Sequence, residues 1–362
     1  MKKLTLILTT IAFSIATAHS QTQNTSNDIG KLKLVAQLNI RPGNVTVSKY
    51  GRIFSTIHPL GGNSLQLVEI TGTKSFVPFP NNSYQKFGKP ASNDKLDSPL
   101  GLVFDSHDHL WAIDMGLELG QTRLWCFDIH NKKVIKKITL PENIAPKGSF
   151  IQDLVVDDQN GWAYLADINN PGIIAVNLKT KEARRFSNHP SLQAENIDMI
   201  IDGKTAYFNG KPLRVGIDPI TLSADNQTLY YGAMSGNTWY EVPTRPFREG
   251  LNDSLISSMI KVNGKKPLCD GATTATSGNH YFTDLQGHAI SKLSSDGTLS
   301  TLIQDENKLL WPDGIHFGPN QWLYISTNQL NTTPAFTGKK DEGHPPYYIL
   351  KVFTGENGVS GR

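Results

Sequence analysis

The stretch Trp311-Pro312-Asp313-Gly314-Ile315-His316-Phe317 runs on through Gly318-Pro319-Asn320-Gln321 into Trp322-Leu323-Tyr324-Ile325-Ser326-Thr327-Asn328. It reads as two short strands joined by a turn, because proline presets one dihedral while Gly and Asn tolerate unusual ones. In the second strand Trp322, Leu323, Tyr324 and Ile325 are all apolar, so both faces need burial. A hairpin with one wet face would alternate polar and apolar instead. The sheet must therefore sit between neighbours, and the chain supplies them. Asn44–Ile57, Gly101–Asp114, Ile151–Asp167, Val215–Met234 and Asp270–Asp284 repeat the pattern of strand, polar turn and aromatic-rich strand.

Aligned on their second strands, the segments stack Phe54, Trp111, Tyr164, Tyr230, Tyr281 and Tyr324, separated by 43 to 66 residues. Such spacing is that of propeller blades. Each unit continues into further strands, as in Arg123–Ile129 then Val134–Leu140. The expectation is an all-β, six-bladed β-propeller over residues 31–362. Two tandem β-sandwiches would need a linker halfway along, and none is visible. Leu32, Leu34, Ala36 and Leu38 alternate ahead of the first blade, and Tyr347–Phe353 follows the sixth hairpin. The N-terminal strand is expected to complete the sixth sheet and close the ring, which removes two exposed edges. Between blades, His189–Leu213 reads as an insertion with extra strands at Ile197–Ile201 and Ala206–Phe208. A helix is expected around Leu251–Met259. The loop Gln329–Pro346 is long enough to be functional or mobile.

At the N-terminus Lys2-Lys3 precede an apolar run from Leu4 to Ala16, and small residues follow at Ala16-Thr17-Ala18 and Ala18-His19-Ser20. This is the pattern of a cleaved signal peptide over residues 1–20, and the run is short for a membrane anchor. A polar, disordered segment is expected over 21–30. The destination is secreted or periplasmic, with no integral membrane segment. The formal charge of +3 falls to +1 without Lys2 and Lys3, which leaves no basic footprint for nucleic acid. Cys126 and Cys269 are expected to pack as small hydrophobes rather than pair. A monomer is expected.

No Walker loop, H-E-x-x-H, C-x-x-C or G-x-S-x-G is present. His107 and His109 fall in a turn and read as solvated residues. Hairpin geometry is more informative, since the start of the first strand and the end of the second share one edge. In a propeller those positions converge on one mouth of the central channel. First-strand starts give Asn44, Asp153, Asp270 and Asp313; second-strand ends give Asp114, Asp167, Asp284 and Asn328. Oxygen donors of this kind suit a small ammonium or polar ligand, or a hard cation such as Ca²⁺. The ligand set is Asn44, Asp153, Asp270, Trp311, Asp313 and Asn328, with Asp153, Asp270 and Asp313 as metal candidates. Asp before Gly also caps turns, so a structural role competes at each position. No catalytic residue is assigned.

Several segments resemble the major royal jelly protein/yellow family: Arg41-Pro42-Gly43-Asn44 with Gly51-Arg52-Ile53-Phe54, Ala163-Tyr164-Leu165-Ala166-Asp167 with Gly172-Ile173-Ile174-Ala175-Val176, Trp239-Tyr240-Glu241-Val242-Pro243, Cys269-Asp270-Gly271, and Trp311-Pro312-Asp313-Gly314 followed by Ser326-Thr327-Asn328-Gln329-Leu330. The resemblance implies a secreted six-bladed propeller. Its relatives include dopachrome-converting enzymes, salivary binders of biogenic amines and nutritive proteins, and bacterial chains described as dopachrome-tautomerase-related. It thus implies a small aromatic amine or catecholic ligand at the channel mouth, with a tautomerase-like isomerase activity or a purely binding role. The runner-up is similarity to the gluconolactonase group, whose lactone hydrolysis uses a divalent metal at the mouth. Asp313 matches that group's Pro-Asp-Gly, but Asn44 stands where a Glu is expected and Gly216-Ile217 offers no middle Asn.

Overall fold

The computed structural model describes residues 28–62, 64–87 and 89–362. The expected signal peptide and residues 21–27 of the expected disordered segment lie outside the described residues. Residues 28–30 correct the other end of that segment. They form a turn in which Lys31 N donates to Asp28 O and Gly30 N donates to Phe353 O, each at 2.9 Å.

Six four-stranded antiparallel sheets form the blades. Their innermost strands are Pro42–Val47, Pro99–Phe104, Ile151–Asp157, Ile217–Leu222, Cys269–Thr274 and Pro312–Phe317. The sixth sheet takes its outermost strand from the other end of the chain. Leu32–Leu38 pairs antiparallel with Tyr347–Phe353, Leu38 opposite Tyr347 and Leu32 opposite Val352. The ring therefore closes as expected, although a bulge between Leu34 and Ala36 breaks the alternation and leaves Leu34 exposed.

Register makes the blades equivalent. Thr46, Val103, Val155, Thr221, Thr273 and His316 each lie opposite the aromatic residue that sequence aligned, Phe54 through Tyr324. Apolar side chains leave both blade faces and pack against the neighbouring blades. Each of the six interfaces holds its own cluster, such as Val103, Trp111 and Leu124 with Leu154, Val156 and Leu165 between blades two and three. Full burial of one large apolar side chain contributes roughly 1.5–3 kcal/mol, so many small cores replace one large one. Cys126 and Cys269 are free and buried.

The same irregularity recurs in every innermost strand. Two residues oppose one on the second strand: Gly43-Asn44, Leu100-Gly101, Gln152-Asp153, Asp218-Pro219, Asp270-Gly271 and Asp313-Gly314. A bulge re-aims side chains and interrupts the ladder. In blades one, five and six a hydroxyl replaces the lost ladder bond. Thr56 Oγ1 accepts from Asn44 N at 3.0 Å, Thr283 Oγ1 from Gly271 N at 2.9 Å, and Ser326 Oγ from Gly314 N at 3.0 Å. Blade four has Gly232 opposite its bulge and no hydroxyl, but Pro219 has no N–H to satisfy. Inner strands approach so closely that a Cβ on Gly271 would stand 2.5 Å from Asp313 O.

The insertion after blade three forms two small hairpins, Ile200–Ile201 with Lys204–Thr205 and Tyr207–Phe208 with Lys211–Pro212. The expected helix is Asp253–Ser258, preceded by a second helix, Arg245–Glu249. Asn252 caps it by accepting from Leu255 N at 3.0 Å. No described helix is long and apolar enough to cross a membrane.

Candidate functional site at the channel mouth

The bulges place a ring of oxygen donors around the axis. Asp218, Asp270 and Asp313 hold the first bulge position of blades four, five and six, and Asn44 and Asp153 the second position of blades one and three. All five are buried. Bonds cross the channel: Asn44 Nδ2 donates to Asp153 Oδ1 at 3.1 Å, and Gln152 Nε2 donates to Asp270 Oδ1. Trp311 Nε1 donates to Asp270 Oδ2 at 2.7 Å, and Asn328 Nδ2 to Asp313 Oδ2 at 2.6 Å. The six residues predicted from sequence are thus brought together, and Gln152 and Asp218 join them. Asp218 precedes proline rather than glycine and so lacks the Asp-Gly signature. Counting three residues back from Thr221, the partner of Tyr230, would have found it.

Three of the second-strand ends do not belong to the mouth, which corrects that expectation. They lie one strand away from the axis, where arginines of the outer strands or local turn donors occupy them. Asp114 Oδ2 accepts from Arg123 Nη2 at 2.7 Å and Trp125 Nε1 at 3.0 Å. Asp167 Oδ2 accepts from Arg185 Nη1 at 3.1 Å. Asp284 accepts from Gly287 N at 2.9 Å and Ser291 Oγ at 3.2 Å.

The ring carboxyls resist ionisation. Burial pushes Asp270 up to about 7, against the opposing effect of its Trp311 and Gln152 donors. Burial, then the charge of Asp270, raises Asp153 and Asp313 well above the usual carboxylate range, and Asp218 likewise. Buried like charges cannot all ionise together, so protons stay on the ring near neutral pH. Asp218 expresses this most plainly: no N–H or hydroxyl donor reaches its carboxyl oxygens, and its hydrogen-bonding neighbour is the Asp270 carboxyl, so one of the two holds a proton.

Above the ring lies a cavity of about 480 Å³. Phe150, Phe208, Trp311 and Phe336 give it aromatic walls, and Lys211 and Arg214 lie at its edge. Gln152 and Trp311, the two donors to Asp270, line it, whereas the acids do not. The insertion and the long blade-six loop meet over it. Phe336 packs edge-on against both Phe208 and Trp311, ring centroids 5.1 Å apart in each case, and Asn209 N donates to Ala335 O at 2.7 Å. Arg41 ties the blade-six loop to blade one through Asp341, Thr332 and Tyr347.

The oxygen donors of the ring are chemically suited to a hard cation, with the Asn44 carbonyl oxygen buried and unpartnered. Their spacing is less favourable. Among the described residues, the triplets of potential metal ligands whose atoms lie within 4.8 Å of one another are Asp105–His109–Cys126 and Asp105–His107–Asp158, and the ring forms no such triplet. Those two groups sit around the blade-two turn, where Asp105 already accepts from His107 N at 3.0 Å, His109 N at 2.9 Å and Trp111 Nε1 at 2.9 Å.

The Staphylococcus aureus virginiamycin B lyase (selenomethionine-substituted) has a similar fold, with a TM-score of 0.52 at 15% identity over 89% of this chain and 99% of that one. A gluconolactonase from Xanthomonas campestris superposes with a TM-score of 0.55 at 12% identity, covering 89% of each chain. In sequence, the chain is 28% identical over 185 residues to major royal jelly protein 9 of Apis mellifera, which is 48% of this chain and 42% of that protein. It is 21% identical over 285 residues to Protein yellow of Drosophila melanogaster, 72% of this chain and 52% of that one. The chain thus spans about half the length of the curated relatives it matches. Residues 97–342 match the family model described as major royal jelly protein, and this chain belongs to that family.

Proposed function

We propose that the chain binds a small aromatic ligand, an amine or a catecholic compound, in the vestibule over the acid ring. The observation that carries this is the vestibule itself: aromatic walls over a floor whose two donors, Gln152 and Trp311, both end on Asp270. A mostly apolar concave site with a few convergent polar groups is the usual form of a small-molecule pocket. An acid poised near neutral pH can give and take a proton in one cycle, which is what a tautomerase-like isomerase needs. That chemistry requires Gln152 to swing off Asp270 so that the carboxyl meets the ligand; binding alone does not. We place this activity outside the cytoplasm, with residues 1–20 as the export signal, in a chain acting as a monomer.

The second reading is a metal-dependent lactonase or esterase, and the buried, unpartnered Asn44 carbonyl oxygen beside the acids favours it. Asp218, Asp270, Asp313 and Asn44 would hold the cation, which would supply an activated water. Calorimetry with dopamine and, separately, with CaCl₂ distinguishes the two. Dopamine binding that ignores chelator and weakens when an aromatic wall is removed in Phe208→Ala supports the first. No aromatic binding, with Ca²⁺ uptake and chelator-sensitive lactone hydrolysis, replaces it with the second.

A further inference from the structure

We infer that His58 is a neutral hydrogen-bond donor that reads an oxygen atom of the ligand held in the vestibule; this rests on the small-molecule reading above. His58 lines the cavity, is 1% exposed, and has no hydrogen-bond partner at Nε2. Its other nitrogen fixes the tautomer. Nδ1 accepts from Leu60 N at 3.2 Å, as the cap of the short helical turn Pro59–Gly61, so Nδ1 keeps its lone pair and the proton sits on Nε2. Burial, reinforced by the Arg41 guanidinium, pushes the imidazole down to about 3 and keeps it uncharged.

Among the other side-chain donors that line the cavity, all but the exposed Lys211 are committed. Gln152 and Trp311 donate to Asp270, and Arg214 to Asp198 and to Leu213 O. Arg41, beside His58, is held by Asp341, Thr332 and Tyr347. His58 Nε2–H is therefore a buried donor in the wall with no acceptor in the protein, an arrangement that is disfavoured unless something else accepts. A hydroxyl or carbonyl oxygen on the ligand can accept; an ammonium cannot. His58 thus selects for ring oxygen and turns any amine on the ligand away from itself. A site built to bond an oxygen discriminates strongly against the analogue that lacks it.

The test compares dopamine with 2-phenylethylamine, the same skeleton without ring oxygens, by calorimetry on wild type, His58→Phe and His58→Gln. Wild type should prefer dopamine. His58→Phe should weaken dopamine about tenfold and leave 2-phenylethylamine unchanged, and His58→Gln, which keeps an N–H donor, should recover part of the loss. Equal losses for both ligands would overturn the inference. So would equal affinity of wild type for both, while the vestibule reading survived. Binding of neither would overturn both. Should His58→Phe fail to fold, the wild-type preference and the His58→Gln variant decide alone.

Discussion

At the upper mouth of the channel the cover is made mostly of side chains, with one backbone bond, Asn209 N to Ala335 O, between the two loops. Phe208 and Phe336 reach in from two separate loops, and Phe336 packs edge-on against Phe208 and Trp311, with a cavity between them and the acid ring. At the lower mouth the cover is made of backbone. Residues 357–362 cross it, with Thr276 N donating to Asn357 O at 2.9 Å, Gly361 N to Phe104 O at 2.7 Å and Val156 N to Gly361 O at 2.9 Å. Arg362 then buries its guanidinium against Ser223 O and Asn226 Oδ1 in blade four. Directional bonds to blades two, three, four and five fix the lower cover in one position, whereas aromatic contacts between loops tolerate sliding and reopening. On the proposed reading, stability belongs to one end of the channel and ligand exchange to the other.

The largest expected effect tests the lower end. Deleting residues 357–362 removes three backbone bonds and the buried Arg362 contacts together. Each bond contributes on the order of 1 kcal/mol and more where a charge is involved, so a loss of about 3 kcal/mol or more is expected. A subtler version is Gly361→Ala, because Gly361 has φ +86° and a Cβ there would meet Val156 O. Denaturant melts should show both variants destabilised with affinity for the upper ligand intact. Unchanged stability would mean that the segment merely lies on the surface.

The next effect distinguishes the acid ring from ordinary turn caps. A carboxyl raised to about 7 in the folded protein binds more protons there than in the unfolded chain. Its contribution to stability is therefore present at low pH and declines as pH rises from about 4 to 7, by at most about 1.4 kcal/mol per pH unit. Buried histidines run the other way. Burial holds His280 and His316 down at about 4 and His58 at about 3, so they cost stability as pH falls below their ordinary range. The sum conceals the ring, but the difference between wild type and Asp270→Asn does not. That difference should shift steadily in favour of the variant between pH 4 and 7. A flat difference would mean that Asp270 ionises normally and serves only its two donors.

How much of this was legible follows from the same contrast. The blades could be read because the aromatic at each second strand faces the same inner-strand register, a local pattern repeated six times. Asn44, Asp153, Asp270 and Asp313 could be read because hairpin geometry alone brings first-strand starts to the axis. Asp114 and Asp167 were misplaced because their arginine partners lie on the third and fourth strands, which the hairpin argument does not see. Asp218 was missed because Pro219 disguises its bulge. The vestibule and the lower cover depend on loops that meet only after the ring has closed, and no periodicity encodes such contacts.

The smallest stability effect is expected at the upper mouth, and it is the one that bears on function. Phe336 is half-buried, and its ring touches Phe208 and Trp311 rather than a blade core. Phe336→Ala should therefore change stability by no more than about 1 kcal/mol, well below the usual cost of emptying a core aromatic position. The ligand, by contrast, loses one aromatic wall and the side-chain contact between the two loops. A tenfold weakening corresponds to about 1.4 kcal/mol, within reach of a single aromatic contact. Faster release with a nearly unchanged on-rate is expected, since interface changes act mostly on dissociation. Stopped-flow Trp fluorescence with dopamine as the probe gives both rates. If Phe336→Ala instead melts the protein as severely as deletion of residues 357–362, the upper cover is architecture too, and the two mouths do not differ in kind.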